Sequence, residues 1–191
     1  MEYVVCTPEE DSLKFFRADV EKRLAANPDL RILEAGTLRW RESRSTHHKD
    51  WFPRVKTYEM TDIAPGLDVD FTADLHDISK VTGENVYDAF LACSVWEHLE
   101  RPWVAAREVS RILKPGGLFF IQTHSTFPLH GFPNDYFRFS TEALRSLFSE
   151  TCDVVRADYD FPASIVSARD PGIATQVAFL NVNIYGKKKA M

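Results

Sequence analysis

With 191 residues, 45% of them hydrophobic and 13% aromatic, the chain suits one folded domain with a substantial core and excludes global disorder. Its 23 Lys and Arg against 28 Asp and Glu give a formal charge of −5, which argues against a nucleic-acid polymer as partner, and no apolar run approaches the roughly 18–20 residues of a membrane span. Three widely spaced cysteines (Cys6, Cys93 and Cys152) form no CxxC pair, so neither a disulfide framework nor a cysteine-based metal site is expected.

The N-terminus carries Glu2, Glu9, Glu10 and Asp11 and lacks the basic-then-apolar order of a secretory signal, so a cytoplasmic location is expected. From Asp11 to Ala25, Leu13, Phe16, Val20 and Leu24 recur at spacings of three and four, which predicts a helix capped by Asp11 or Ser12. Leu30–Ala35 then reads as a short strand ending at Gly36, Lys56–Asp62 as an alternating strand, and Val69–Ala73 as a third, ending at Asp74. Tyr87–Cys93 is short, apolar and bounded, as a strand buried on both faces should be. A helix is predicted over Pro102–Leu113, stopped by Lys114-Pro115-Gly116-Gly117, with a strand over Leu118–Thr123. Thr141–Glu150 is a helix that Thr141 can cap, and Val154–Tyr159 and Val177–Tyr185 are further strand candidates. The basic run Lys187–Lys189 reads as a solvated tail.

Strands alternating with helices imply a mostly parallel α/β sheet covered on both faces, with ligands held outside the carboxyl ends of its strands. Those ends are Glu34-Ala35-Gly36, Asp62, Asp74 and Ser94. A carboxylate at such a tip can accept two hydrogen bonds from a ribose diol. Dinucleotides additionally need a glycine-rich loop around their pyrophosphate, and Gly36-Thr37-Leu38-Arg39 is not GxGxxG, which disfavours a nicotinamide-type oxidoreductase. S-adenosylmethionine has no phosphate and carries a sulfonium, so acidic strand ends suit it better.

The stretch YDAFLACSVWEHLERPWVAAREVSRILKPGGLFFIQTH resembles the fourth strand, helix and fifth strand of class I S-adenosylmethionine-dependent methyltransferases. TDIAPGLDVDFTADLHDIS resembles the second and third strand ends of the same superfamily. THSTFPLHGFPNDYFRFSTEALRSLF is similar to a methyltransferase type 11-like subgroup with a shortened first glycine motif, common near bacterial glycan and natural-product genes. The resemblance covers about residues 30–150. It implies a single domain with a Rossmann-like, seven-stranded, mostly parallel sheet, helices on both faces and an antiparallel C-terminal strand, preceded by a helical segment over residues 1–28.

The same resemblance implies the site. Glu34 and Gly36 would face the methionine part of S-adenosylmethionine, with Ala35 and Thr37 as backbone contacts. Asp62 would take the ribose hydroxyls with Ile63 against adenine, Asp74 and Leu75 the adenine edge and face, and Ser94 and Val95 the pocket floor beside the methyl group. The sequence departs from the family pattern after Gly36, where the remaining glycines are missing; either another loop holds the methionine end or the fold has become a binding scaffold. Each acid also has a plainer reading: Glu34 or Asp74 as a local cap, Asp62 as a turn former.

The segment from His124 to Arg138 embeds His124, His130, Asp135, Tyr136 and Arg138 among Phe127, Phe132, Phe137 and two prolines. Titratable groups in aromatic surroundings suit an acceptor pocket with a general base, for which His130 is the first candidate and His124 the second, with Asp135 and Tyr136 beside them. Asp135 with Arg138 as a structural ion pair, and the aromatics as a plug, is the competing reading. His98 reads as structural, the adjacent pair His47-His48 as an exposed loop, and Trp96 and Trp103 as core or lid. The expected reaction is methyl transfer to oxygen or nitrogen of a small molecule, sugar or natural product.

Overall fold

The computed structural model describes residues 11–39, 43–131, 133–167, 169–170, 172 and 177–190; Glu2, Cys6, Glu9, Glu10, Trp40 and Phe132 lie outside them. Helix α1 (Ser12–Ala26) starts at Asp11, whose carboxylate accepts the Lys14 N–H at 2.6 Å, and it buries Phe16, Val20 and Leu24. Ser12 instead anchors the helix to the sheet, its N–H and hydroxyl both donating to the buried Asp158 carboxylate, at 2.9 and 2.6 Å. The strands are β1 (Arg31–Ala35), β2 (Thr57–Asp62), β3 (Phe71–Thr72), β4 (Tyr87–Cys93), β5 (Leu113–His124), β6 (Cys152–Ala163) and β7 (Ala178–Lys188). The remaining helices are the single turn α2 (Ser79–Thr82), α3 (Pro102–Ile112) and α4 (Thr141–Phe148).

The strands form one seven-stranded sheet in the order β3-β2-β1-β4-β5-β7-β6, with β7 antiparallel to both neighbours and the other pairings parallel. The period of two sorts side chains to two faces. Ile32, Leu118 and Phe120 meet α1 on one face; Leu33, Phe119 and Ile121 meet α3 and α4 on the other. The chain turns outward from β1 to β2 and β3, then returns to β4 on the opposite side of β1, so the switch in strand order lies between β1 and β4. This is the architecture that the family resemblance implies.

Four local expectations change. Lys114–Gly117 does not end the secondary structure: α3 runs straight into β5, Leu113 pairs with Tyr87, and the register then shifts so that Leu118 pairs with Ala89. Positive φ at Gly116 lets the chain bulge there while staying extended on either side. Ser140, not Thr141, caps α4, accepting the Ala143 N–H at 3.1 Å. The third strand shrinks to Phe71–Thr72. The run Lys187–Lys189 is no free tail: Lys187 pairs with Asp19, Lys188 donates to Asn85 and to the Leu113 carbonyl, and Lys189 donates to the Ser149 carbonyl. Among the described residues no helix is long and apolar enough to cross a membrane.

Candidate functional site

The tips of β1 and β4 meet at the switch point. Gly36 follows β1 with φ +83°, and a Cβ there would lie 2.2 Å from Val95 Cγ2, so only glycine fits between the two tips. Ser94, at the end of β4, also has a positive φ of 55°, a strained backbone for a residue with a side chain. Around this junction opens a cavity of about 980 Å³, near the upper end of the usual small-molecule range.

Of the residues expected to hold cofactor, Ala35, Gly36, Asp62, Ile63, Asp74, Leu75, Ser94 and Val95 line this cavity. Asp62 is anchored by the backbone N–H groups of Leu38 (3.0 Å) and Ile63 (2.8 Å), one on each carboxylate oxygen. Each oxygen keeps a lone pair for a ligand. Asp74 accepts the His76 backbone N–H at 2.8 Å and faces His76 Nδ1 at 2.6 Å. Burial acts to raise the Asp74 carboxyl, but these His76 contacts and the Arg101 charge outweigh it and hold the group below its ordinary range.

Glu34 and Thr37 do not border the cavity, which corrects the direct contacts read for them. Glu34 is 2% exposed and lies behind the wall, where it accepts the Tyr58 hydroxyl at 2.7 Å and contacts His48 Nδ1 at 2.6 Å, with the His48 N–H at 2.9 Å. Burial, then the Glu34 charge, drive the Tyr58 hydroxyl far above its ordinary range, so it stays a donor. Thr37 is fully buried and donates to the Asp68 carbonyl at 2.6 Å.

The stretch after Gly36 explains the missing glycines. Among the described residues between β1 and β2, the helical structure is a 3-10 turn, Lys49–Trp51. Phe52 and Val55 cover the sheet face beside α1, and Arg44, Ser45, Thr46, His47 and His48 line the cavity. Three ties hold this loop: His48 to Glu34, Thr46 Oγ1 to the Thr37 carbonyl (3.0 Å), and Ser45 Oγ to Asp68 (3.1 Å). Arg39 in turn grips Asp68 through Nε and Nη2, at 2.7 and 2.8 Å. The loop residues were readable as polar, and another loop at the methionine end was one of the two readings; which residues reach the cavity was not readable. The cavity wall is therefore mixed in charge, with Arg44 and Arg101 beside Asp62 and Asp74.

The block after β5 divides. Tyr136 and the preceding Pro133 and Asn134 line the cavity; His124, His130 and Asp135 do not. Asp135 is held by Arg138 (2.5 and 2.7 Å) and by the His130 N–H (2.9 Å), so the ion-pair reading describes it and a reactive role does not. The Arg138 bond is the main reason its carboxyl lies well below the usual range. The base role read for His124 and His130 meets the same difficulty: both gather instead around Glu97, a fully buried residue of the 3-10 turn Trp96–His98. Burial pushes the His124 imidazole below its ordinary value against the opposing pull of Glu97. His98, read as structural, is the imidazole of this group that reaches the cavity wall. Trp96 is core, packed between Phe90 and Phe148, and Trp103 is half-exposed.

Residues 55–121 match the family model for a methyltransferase domain. No curated protein matches the chain in sequence. Solved structures share the fold: an S-adenosylmethionine-dependent methyltransferase from Archaeoglobus fulgidus is similar at TM-score 0.57 and 16% identity, over 90% of this chain and 94% of that one. Another from Mesorhizobium loti gives 0.59 and 13%, over 90% and 98%. The 1,6-didemethyltoxoflavin-N1-methyltransferase of Burkholderia thailandensis, solved with 1,6-didemethyltoxoflavin and S-adenosylhomocysteine bound, gives 0.59 and 14%, over 94% and 79%. The chain thus matches a methyltransferase-domain model from β2 into β5 and shares its fold with S-adenosylmethionine-dependent methyltransferases.

Proposed function

We propose that the chain binds S-adenosylmethionine in the switch-point cavity and transfers its methyl group to oxygen or nitrogen of a small-molecule acceptor. The observation that carries this reading is the placement of Asp62 and Asp74, from successive strand tips, on one cavity whose floor is the Gly36–Val95 junction. When bound, S-adenosylmethionine supplies a sulfonium-activated methyl group. Asp62 offers its free lone pairs to the ribose diol, Leu75 and Ile63 offer apolar surface to the adenine, and Arg44 offers a charge partner for the amino-acid carboxylate. Glu34 acts at one remove, by holding His48 on the wall.

His98 and Tyr136 line the acceptor side, and Asn134 braces both: its carbonyl lies 2.6 Å from His98 Nδ1 and its amide donates to the Tyr136 hydroxyl at 3.0 Å. Fixing the acceptor close to the methyl group supplies much of the rate in such a transfer. The similarity to a methyltransferase solved with 1,6-didemethyltoxoflavin bound supports a small-molecule acceptor. Calorimetric titration of S-adenosylhomocysteine tests the reading; no binding at millimolar ligand would sink it. A catalytically silent scaffold is the second reading, favoured by the tied loop that stands where a glycine-rich turn is usual. Binding without methyl transfer to any of a panel of hydroxyl and amine acceptors would favour that one.

A further inference from the structure

Glu97, His124 and His130 converge on one point beside the cavity, and no step of the proposed transfer uses that convergence. Glu97 Oε1 is fully buried and has no hydrogen-bond partner. Around it stand three imidazole nitrogens: His124 Nε2 at 3.0 Å, His98 Nε2 at 3.8 Å and His130 Nε2 at 3.9 Å. The ligand atoms of Glu97, His124 and His130 all lie within 4.8 Å of one another.

The other ring nitrogens explain which way these imidazoles present themselves. His124 Nδ1 lies 3.0 Å from Asn181 Oδ1, His130 Nδ1 3.1 Å from the Pro128 carbonyl, and His98 Nδ1 2.6 Å from the Asn134 carbonyl. Each of these oxygens can accept from Nδ1–H, and the imidazole tautomer that donates there leaves Nε2 free as a ligand atom. A cation among these nitrogens would give the buried, unpartnered Glu97 oxygen a partner. Nδ1–H donated to a carbonyl is also the outer contact by which metal-bound histidines are oriented, and Thr123 Oγ1 orients the carboxylate in the same way, donating to Glu97 Oε2 at 2.7 Å. Arg138, whose charge is felt at Glu97, is already paired with Asp135.

We infer that Glu97, His124 and His130 form a binding site for one divalent transition-metal ion of the zinc class. Two imidazoles and a carboxylate are a nitrogen-oxygen donor set suited to such an ion and a poor one for Mg2+ or Ca2+. Tetrahedral ligands about 2.1 Å from an ion stand roughly 3.4 Å apart. The 3.0 and 3.9 Å separations bracket that value, so small side-chain shifts complete the site. The ion would join the turn after β4 to the segment after β5. Those two already share the Tyr136 N–H to Glu97 carbonyl bond at 2.8 Å. It would thereby brace the wall that carries His98 and Tyr136.

The test uses the full chain, stripped with a chelator, dialysed and titrated with Co2+ and then Zn2+. One Co2+ per chain with visible ligand-field absorption, displaced by Zn2+, is expected. Zn2+ should also raise the unfolding midpoint. His130→Ala, at a half-exposed position where folding tolerates the change, should lower Zn2+ affinity at least about tenfold, as should Glu97→Gln. Failure to bind either ion at one equivalent in the micromolar range would overturn the inference. So would binding unchanged in a folded His130→Ala chain, which would place the metal on His47, His48 or His76 instead. Neither result bears on S-adenosylhomocysteine binding, so this inference and the methyl-transfer reading fail separately.

Discussion

Val95 Cγ2 occupies the space that a side chain on Gly36 would need, 2.2 Å from the position of its Cβ. The two residues follow strands β1 and β4, so their contact closes the floor of the cavity at the point where strand order reverses. Gly36→Ala is expected to destabilise the protein by about 1–3 kcal/mol, from overpacking and from an alanine held at positive φ. It should also abolish S-adenosylhomocysteine binding by parting the two tips. Thermal unfolding and calorimetry read the two effects. Adding Val95→Ala should recover only part of the stability, because the backbone strain remains; full recovery would show that strain is unimportant there.

Asp62 sits on the cavity with a lone pair free on each oxygen. Asp62→Ala should weaken S-adenosylhomocysteine binding by about 1–3 kcal/mol, the loss of a hydrogen bond to a charged group. Asp62→Asn keeps an acceptor for one of the two backbone N–H groups and should fall between. Equal affinity in all three proteins would displace the ribose from this tip.

The Arg39–Asp68 pair fastens the loop after β1 to the turn before β3, and the Arg39 hydrogen bond holds the Asp68 carboxyl below its ordinary value. A depressed carboxyl contributes stability above the unfolded-state pKa of about 3.9 and loses it as pH falls through the folded value. Asp68→Asn should therefore lower the urea midpoint at pH 7, and the difference from the parent should shrink below about pH 4. A difference that stayed constant down to pH 3 would mean the ion pair contributes nothing.

Asp158 is completely buried and gathers Ser12, Arg156 and Asn183 around one carboxylate. Removing it strands those partners, so Asp158→Ala should cost about 3–5 kcal/mol and detach the start of α1. Loss of helical signal before the main unfolding transition would report the detachment. Ser12→Ala removes one neutral donor and should cost about 1 kcal/mol, and a larger loss than Asp158→Ala would reverse the roles assigned here.

Local periodicity made much of the fold readable. Phe16, Val20 and Leu24 repeat at helical spacing and do face the sheet, and Tyr87–Cys93 is the central strand with the bounds its composition suggests. Where a residue type carries two meanings, the sequence misleads: Pro115 and the paired glycines signal a stop, yet the bulge they make leaves β5 continuous. Edge strand β6 runs past Val154–Tyr159 at both ends, and its pattern is blurred because Val155 and Phe161 are exposed while Asp158 is buried. Asp62, Asp74, Ser94 and Gly36 were legible because strand tips are positions that topology alone assigns. The Glu97 cluster was not, since it joins residues 27 and 33 positions apart, and no spacing rule brings a turn after β4 against a segment after β5. The same holds for Glu34, whose partners His48 and Tyr58 arrive from a loop and a neighbouring strand.

The tied loop after β1 has an evolutionary consequence. Its ties run to atoms of the scaffold around the strand tips: the Glu34 carboxylate, the Thr37 carbonyl and the Asp68 carboxylate. One flank of the cavity is thus a panel fastened at three points to the strand tips, while Phe52 and Val55, further along the same stretch, carry the packing against the sheet. Substitutions at residues 44–47 re-shape that flank, and with it the choice of ligand, without touching the packed side chains of Phe52 and Val55.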